Sequence, residues 1–513
     1  MSLSVFFYKA SKLSIADLFY RIFYRINYKI RFSIQRYKDN LFGTALTDRM
    51  FKNKLSYEEL SEVVVKLRDW EKSGLGIYTN HMPDESWVGW ETVNQKNKET
   101  FNHQFDLLGS GLVNISYKTI AKGFCDVKYE MLSAQCHAGN TKSKIIDALG
   151  VEHNYLSNYE PIDWMLDFKS GYRWKEQDWY MDARIGLDPG ADIKVPWELS
   201  RFYHLPRMAL EYQKTKNEDI SQECILQITD WIVSNPLRYG VNWRVSMEVG
   251  IRACNWLLTF DMLRHSHHLN DKFLLLFSKS LFQHMEHILK NQECVSGVQA
   301  NNHYMANLLG LIYLGLCCPW LPNIKTWLPD VIEKFLYQTQ TQFLEDGGNF
   351  ECSTQYHRLV LEMVIHITIL LEKKTLDVGL NESSFTTSKY KKSNKHVEML
   401  AKAICFTKAL QKKNGRVPQF GDNDSGRIFN ILPPDSDKDH RHLVAVGESI
   451  FYEQQADMVN NPWHEEALIF NMNSFYDESY LKKKVNEEGF FHYKQSGISI
   501  LKTNKLYFAF IEH

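Results

Sequence analysis

The sequence contains no run of apolar residues long enough to span a bilayer, which takes about 20 in a row. It contains no Cys-x-x-Cys, and its nine cysteines are odd in number, with Cys317 and Cys318 adjacent. A disulfide framework and a cysteine-built zinc site are therefore not expected, and buried free thiols are. An excess of one charge is missing too. The 60 Lys and Arg nearly balance 61 Asp and Glu, for a net charge of −1, so the basic surplus of a nucleic-acid binder is absent. The first residues lack the clean apolar segment of a signal peptide, because Phe6, Phe7 and Tyr8 are followed at once by Lys9 and Lys12. A reducing, cytoplasmic location is expected on that ground.

What is present is a chain of 513 residues, too long for one compact core and suited to two or three domains. Aromatic residues reach 13%. Such rings stack on sugars or fill the interior of a large helical protein, and composition does not choose between the two.

Residues 15–38 read IADLFYRIFYRINYKIRFSIQRYK, with Arg21, Arg25 and Lys29 recurring every fourth position. Tyr20, Tyr24 and Tyr28 do the same, as do Ile22, Ile26 and Ile30, which is a helical period with a basic stripe. Two readings fit: peripheral contact with a membrane surface or polyanion through 15–38, or a helix docked on the main body with a solvated basic edge. The second is the simpler.

A helix is expected near 57–72, loops over 101–125, and a long loop from Pro161 to Pro196, dense in Trp, Gly and Asp. From Trp197 the pattern changes. Apolar residues recur at three and four positions, predicting helices over 197–213, 219–234, 244–263, 271–291, 301–316, 325–344, 355–372 and 395–411. Their spacing is that of repeated antiparallel hairpins without a tight repeat consensus, which predicts a helical toroid. At the end, GISIL and LYFAFIEH read as two strands joined by a turn. The expected division is an N-terminal helical and irregular region over 1–100, a toroid over 101–480, and the first strands of a β-domain over 481–513.

Several motifs carry side chains of chemical interest. PIDWMLDFKSGYRW (161–174) and VPWELSRFYHL (195–205) are the first. In GVNWRVSMEVGIRACNWL (240–257), Asn242 is a plausible N-cap. Glu248 and Arg252, four apart, can pair, and Trp243 and Trp256 suggest a groove-lining helix. In QANNHYMANLLGLIYLGL (299–316), Asn301, Asn302 and His303 precede a strongly apolar helix, which one of them can cap. In FLEDGGNFECSTQYHRLVLEM (343–363), a turn at Asp346–Gly348 leads to Glu351, Tyr356 and His357 at the start of another helix. Alone, each of these reads as a cap or a hydrogen-bonded core residue. Together they matter more, because inner helices of a toroid begin at one rim facing a single cleft. QFGDNDSGR (419–427) adds Asp422, Asn423, Asp424 and Arg427, but lacks the spacing of an EF-hand, so no metal site is expected.

In this order, the motifs resemble the heparinase II/III and alginate-lyase-like superfamily, from about residue 100 to the C-terminus. The most specific parts are NWRVSMEVGIRACNW, ANNHYMANLLGL and EDGGNFECSTQYH. The resemblance implies a mainly α fold, an (α/α) toroid followed by an antiparallel β-sandwich domain. It also implies an enzyme that cleaves an anionic, uronic-acid-containing polysaccharide by β-elimination. Asn302 with His303 would neutralise the uronate carboxyl, and Tyr356 would serve as acid and, for some substrates, base. Asn242, Trp243, Glu248, Arg252, Glu351 and His357 would line the substrate. A base role for Tyr356 needs cationic neighbours to lower its pKa, and His357, Arg252 and Arg358 are the candidates.

The family's further histidine, from a Gly/His-rich segment of the β-domain, has no counterpart before His513. The chain is accordingly expected to be truncated in that domain and to need no cofactor of its own, the structural divalent metal of some relatives belonging to the missing part. Secreted relatives make a periplasmic location the alternative. A non-catalytic saccharide-binding or assembly protein, and an inverting hydrolase using Glu351 and Asp422, are the competing functions.

Overall fold

A computed structural model describes residues 15–70, 82–83, 85–129, 135–294, 299–377, 394–424, 426–432, 436–452, 462–470, 474–481, 488–503 and 505–511. The architecture is mainly α, an (α/α) toroid of helical hairpins followed by a small antiparallel sheet. Phe6–Tyr8 and His513 lie outside the described residues.

The N-terminal region comprises α1 (Ile15–Phe42), α2 (Asp48–Leu55), α3 (Ser61–Arg68) and α4 (Gly89–Phe101). Thr47 caps α2 by accepting the Met50 N–H. The helix expected near 57–72 is shorter, Ser61–Arg68. A two-residue ladder, β1 (Gln104–Phe105) with β2 (Val113–Asn114), and α5 (Gln135–Leu149) follow. The Pro161–Pro196 stretch is irregular up to α6 (Lys194–Leu199). Aspartates hold it in place: Asp163 pairs with Arg173 at 2.8 Å, and Asp230 accepts the Tyr159 hydroxyl and the Ile162 N–H.

The hairpins pair α7 (His204–Thr215) with α8 (Glu218–Ser234), α9 (Ser246–Leu263) with α10 (Asp271–Lys290), α11 (Asn302–Cys317) with α12 (Ile324–Gln342), and α13 (Thr354–Asp377) with α14 (Asn394–Leu410). The first helix of each packs on the first helix of the next, and α13 packs on α15 (Arg441–Glu448), itself against α16 (Pro462–Phe470). These form the inner layer. Every residue of α9 is buried, its polar side chains Glu248, Arg252 and Asn255 included, so these need partners in the interior. Asn217 and Asn270 cap the outer helices α8 and α10 with their side chains. The helix predicted over 197–213 is instead two pieces, broken at Ser200–Tyr203, where Phe202 adopts φ +60°.

The inner helices α9 and α11 approach through glycine. A Cβ on Gly310 would lie 2.5 Å from the Gly250 Cα, and one on Gly250 would lie 2.5 Å from the Ala306 carbonyl oxygen. Any side chain there would force the backbones apart. The segment Gly426–Leu432 is tied into the ring: Asn255 of α9 donates to the Ile428 carbonyl, Glu362 of α13 accepts the Ile428 N–H, and Arg358 donates to the Gly426 carbonyl.

The C-terminal sheet has three strands rather than two, β3 (Gly489–Tyr493), β4 (Ile498–Lys502) and β5 (Tyr507–Ile511), paired antiparallel in that order. Phe491, Tyr493, Ile498, Ile500 and Tyr507 pack on Phe406 and Leu410 of α14, while Phe490, Phe508 and Phe510 face outward. None of the eight described cysteines is in a disulfide. Among the described residues no helix is long and apolar enough to cross a membrane.

Candidate active site

The inner helices run the same way, so α9, α11 and α13 begin at one rim. Asn301 caps α11 with backbone geometry but no side-chain hydrogen bond. Glu351, from the loop before α13, supplies that bond from a distance. Its carboxylate accepts the Asn302 N–H at 2.9 Å and the Asn302 amide at 3.0 and 3.1 Å. An anion at a helix N-terminus is favoured by the unpaired N–H groups and the helix dipole.

The loop carrying Glu351 is fixed by its own chemistry. Gly347 sits at φ +96°, and Asp346 accepts the N–H and hydroxyl of Ser496 from the β3–β4 turn. Ser353 then opens α13, its hydroxyl accepting the Gln355 and Tyr356 N–H groups.

His303, half-buried, bonds through Nδ1 to Glu293 at 2.9 Å. The other Glu293 oxygen accepts the Met247 N–H at 2.8 Å and the Asn307 amide at 3.1 Å, so one carboxylate links the starts of α9 and α11. Burial alone would lower the His303 pKa. The Glu293 hydrogen bond and charge outweigh it, and the net shift is upward. A histidine whose folded pKa is raised stabilises the fold below its unfolded pKa of about 6.5, and that contribution is lost as pH rises through the folded value. In Glu293→Gln, burial loses its main counterweight, with only the more distant Glu248 charge still raising the pKa. An NMR titration of the His303 ring is then expected to give a lower midpoint than in the parent. Equal midpoints would show that Glu293 does not set the charge.

Tyr356 donates its hydroxyl to Asp424 at 2.6 Å, and Asp424 is ion-paired with Lys194. Burial, the hydrogen bond to Asp424, and the charges of Asp422 and Glu351 all raise the Tyr356 pKa. Asp424 goes the other way: burial would raise it, but the hydrogen bonds from Lys194 and Tyr356 lower it on balance. The expected pKa-lowering neighbours of Tyr356 are not there. His357 points inward to Thr407 at 2.8 Å, its pKa pushed down to about 3 by burial. Arg358 donates to the Asp437 and Gly426 carbonyls.

Several of the expected substrate-lining residues belong to the interior. Asn242 does not cap α9, which begins at Ser246. Its amide is fully buried and donates to the Trp164 carbonyl and the Asn235 side chain. Trp243 and Trp256 are buried too, Trp243 donating to the Asn235 carbonyl and both packing on Trp231 and His284. Glu248 and Arg252 do not pair. Arg252 lies 3.9 Å from the Trp231 ring centre and donates to His284 at 2.9 Å, its pKa pushed down to about 9 by burial. Side chains with no exposed surface have none to offer a saccharide.

The partner of Glu248 is Arg201, which binds it through two nitrogens at 2.5 and 2.7 Å. Arg201 also pairs with Glu198 and donates to the Tyr203 hydroxyl at 2.6 Å. Burial and the nearby Glu248 push Glu198 up to about 7 against the pull of Arg201, which is shared between two carboxylates. Arg201 itself stays cationic, held by both despite its burial. Glu293, Arg201, Glu198 and Lys194 were not singled out from the sequence. The signal available was Glu198-Leu-Ser-Arg201, two opposite charges inside an aromatic-rich run. Among the described residues no group of three or more His, Cys, Asp or Glu has metal-binding geometry.

An imidazole whose pKa is raised by a carboxylate, a protonated phenol and a buried carboxylate near neutrality, gathered where inner helices of a toroid begin, define the class as a helical-toroid protein with an enzyme-like rim. The chain belongs to the heparinase II/III family: residues 111–430, more than half of it, match the family described as heparinase II/III N-terminus. The heparin-sulfate lyase of Pedobacter heparinus is 25% identical over 251 residues, 48% of this chain and 35% of that protein. Solved structures with similarity include heparan sulfate lyase HepC of the same organism, at 18% identity and TM-score 0.42 over 72% of this chain and 49% of that one. A heparinase III is similar at 14% identity and TM-score 0.43, over 82% of this chain and 58% of that one. The chain thus spans about a third of the curated relative it matches.

Proposed function

We propose that this chain carries the helical part of a lyase site that cleaves a uronic-acid-containing polysaccharide by β-elimination. In that reaction a base removes the C5 proton beside the carboxylate. The electron pair forms the C4–C5 double bond, and the glycosidic oxygen leaves C4 with a proton supplied by an acid. Charge that develops on the carboxyl group needs a cation or donors beside it.

The observation that carries the reading is the pairing of His303 with Glu293 on the rim where Tyr356 keeps its proton. His303, its imidazolium favoured by Glu293, suits the substrate carboxyl through Nε2. Tyr356, protonated at neutral pH, suits the acid step, and Lys194 with Asp424 orients its hydroxyl. The same raised pKa counts against Tyr356 as a resting base. Asn302 contributes to the carboxyl only if its amide exchanges the bond it now makes to Glu351.

The test incubates the protein with heparan sulfate first, because a relative is a heparin-sulfate lyase, then with alginate and bacterial uronate polymers. Elimination produces an unsaturated sugar absorbing in the ultraviolet. New reducing ends without that absorbance would mean hydrolysis. Saccharide binding without any product would mean a non-catalytic role.

A further inference from the structure

The N-terminal helix α1 presents a second surface, independent of the rim. One side docks on the body. Phe32 is buried against Trp179 and Tyr180, and Asp39 is buried where it accepts from Trp179 at 2.9 Å and from Arg238 at 2.6 and 2.7 Å. The opposite side is apolar and exposed: Phe23 at 65%, Ile26 at 51%, Ile30 and Ile34 at 52%, Tyr37 at 67% and Leu41 at 58%. At 100° per residue these six fall within an arc of about 80°, roughly opposite Phe32 and Asp39, and run about 27 Å along the helix.

The edges of that stripe are cationic. Lys29 and Arg36 flank it on one side, Arg31 and Lys38 on the other, and all four are exposed. Arg36 pairs with Asp182, and Arg31 leans on Phe32. The α1 sequence holds Arg21, Arg25, Lys29, Arg31, Arg36 and Lys38 against Asp17 and Asp39, a local cationic excess in a chain of net charge −1. The solvated edge expected from the sequence is therefore an apolar ridge between two basic rows. An exposed apolar ridge rimmed by polar residues marks an interaction surface on a protein of this kind.

We infer that α1 seats the protein on an anionic lipid bilayer surface, its Ile/Phe ridge entering the headgroup–acyl boundary and its basic rows meeting lipid phosphates. Charge decides the occupant. A second copy stacked ridge to ridge would bring like-charged rows together. A soluble polyanion would satisfy the cations and leave the ridge in water. A bilayer with anionic headgroups satisfies both, and the helix lies on it, since α1 is not apolar enough to cross.

The test is co-sedimentation of the full chain with vesicles of phosphatidylcholine alone and with about 30% phosphatidylglycerol. Binding to the anionic vesicles is expected, at least about tenfold weaker to the neutral ones and weakened by salt. Ile30→Glu/Ile34→Glu is expected to lower anionic binding about tenfold or more, with unchanged circular dichroism and thermal unfolding, because both side chains project into solvent. No binding to anionic vesicles overturns the inference. So does binding that the double variant leaves intact, which would be charge adsorption of the whole molecule. A concentration-dependent dimer that the double variant abolishes, with no vesicle binding, overturns it in favour of a second copy. None of these outcomes bears on elimination at the rim.

Discussion

Tyr356→Phe is expected to lower the rate of elimination about 10²–10⁴-fold, the range a positioned proton donor contributes. The substitution removes one oxygen and leaves the ring in place. The lost hydrogen bond to Asp424 is part-buried, and its removal is expected to cost about 1 kcal/mol of stability. The product's ultraviolet absorbance gives the rate, and thermal unfolding gives the stability. A rate within a few-fold of the parent, with the fold intact, would assign the acid to another group. The pH dependence reads the same residue: because burial and the neighbouring carboxylates raise its pKa, the acid stays loaded through neutral pH, and activity is not expected to fall from phenol ionisation below about pH 10.

Arg201→Ala is expected to be the most destabilising single change on the rim, at about 3–5 kcal/mol, because it strands buried charges rather than removing a surface pair. Arg201 answers the carboxylates of both Glu198 and Glu248, and all three side chains are buried. Without the guanidinium, the carboxylates are left to repel each other in the interior. Arg201→Lys is not expected to restore the parent, since an ammonium lacks the planar fork that spans both oxygens of Glu248. Arg201→Met/Glu248→Leu is expected to recover part of the loss, because it removes one charge of each sign. Urea unfolding of the three variants is the measurement, and a loss under about 1 kcal/mol for Arg201→Ala would mean that water already reaches the pair.

The hairpins were legible because their helices begin and end on ordinary signals. Asn217 and Asn270 cap α8 and α10, and α8 through α11 start and stop within about two residues of the periodic segments. The break at Ser200–Tyr203 was missed although Pro206, in the first turn of α7, is a signal for a helix start there. Arg201, inside the break, is buried against Glu248, 47 positions away, a contact that periodicity does not show. The same reason separates the site residues that could be read from those that could not. Asn302, His303 and Tyr356 stand out as polar groups at the mouth of apolar helices. Asn242, Trp243 and Arg252 looked equally suitable, but α9 is buried on every side, so periodicity has no solvent face to point away from. Glu351 was found for its position and turns out to be the distant cap of α11. The strand β3 was missed because its five residues follow a charged stretch, and its pairing with β4 completes a pattern visible only in three dimensions.

The glycine contact between α9 and α11 acts as a hard stop. Gly310 lies two turns beyond His303, and Gly250 lies two residues after Glu248, so backbone touching backbone fixes how far apart those two side chains begin. No rotamer change can alter that spacing, and no larger residue can be admitted at either position without prising the ring open. If the rim takes a saccharide as proposed, a difference in ligand size is therefore met by the loops above it and not by the spacing of α9 and α11.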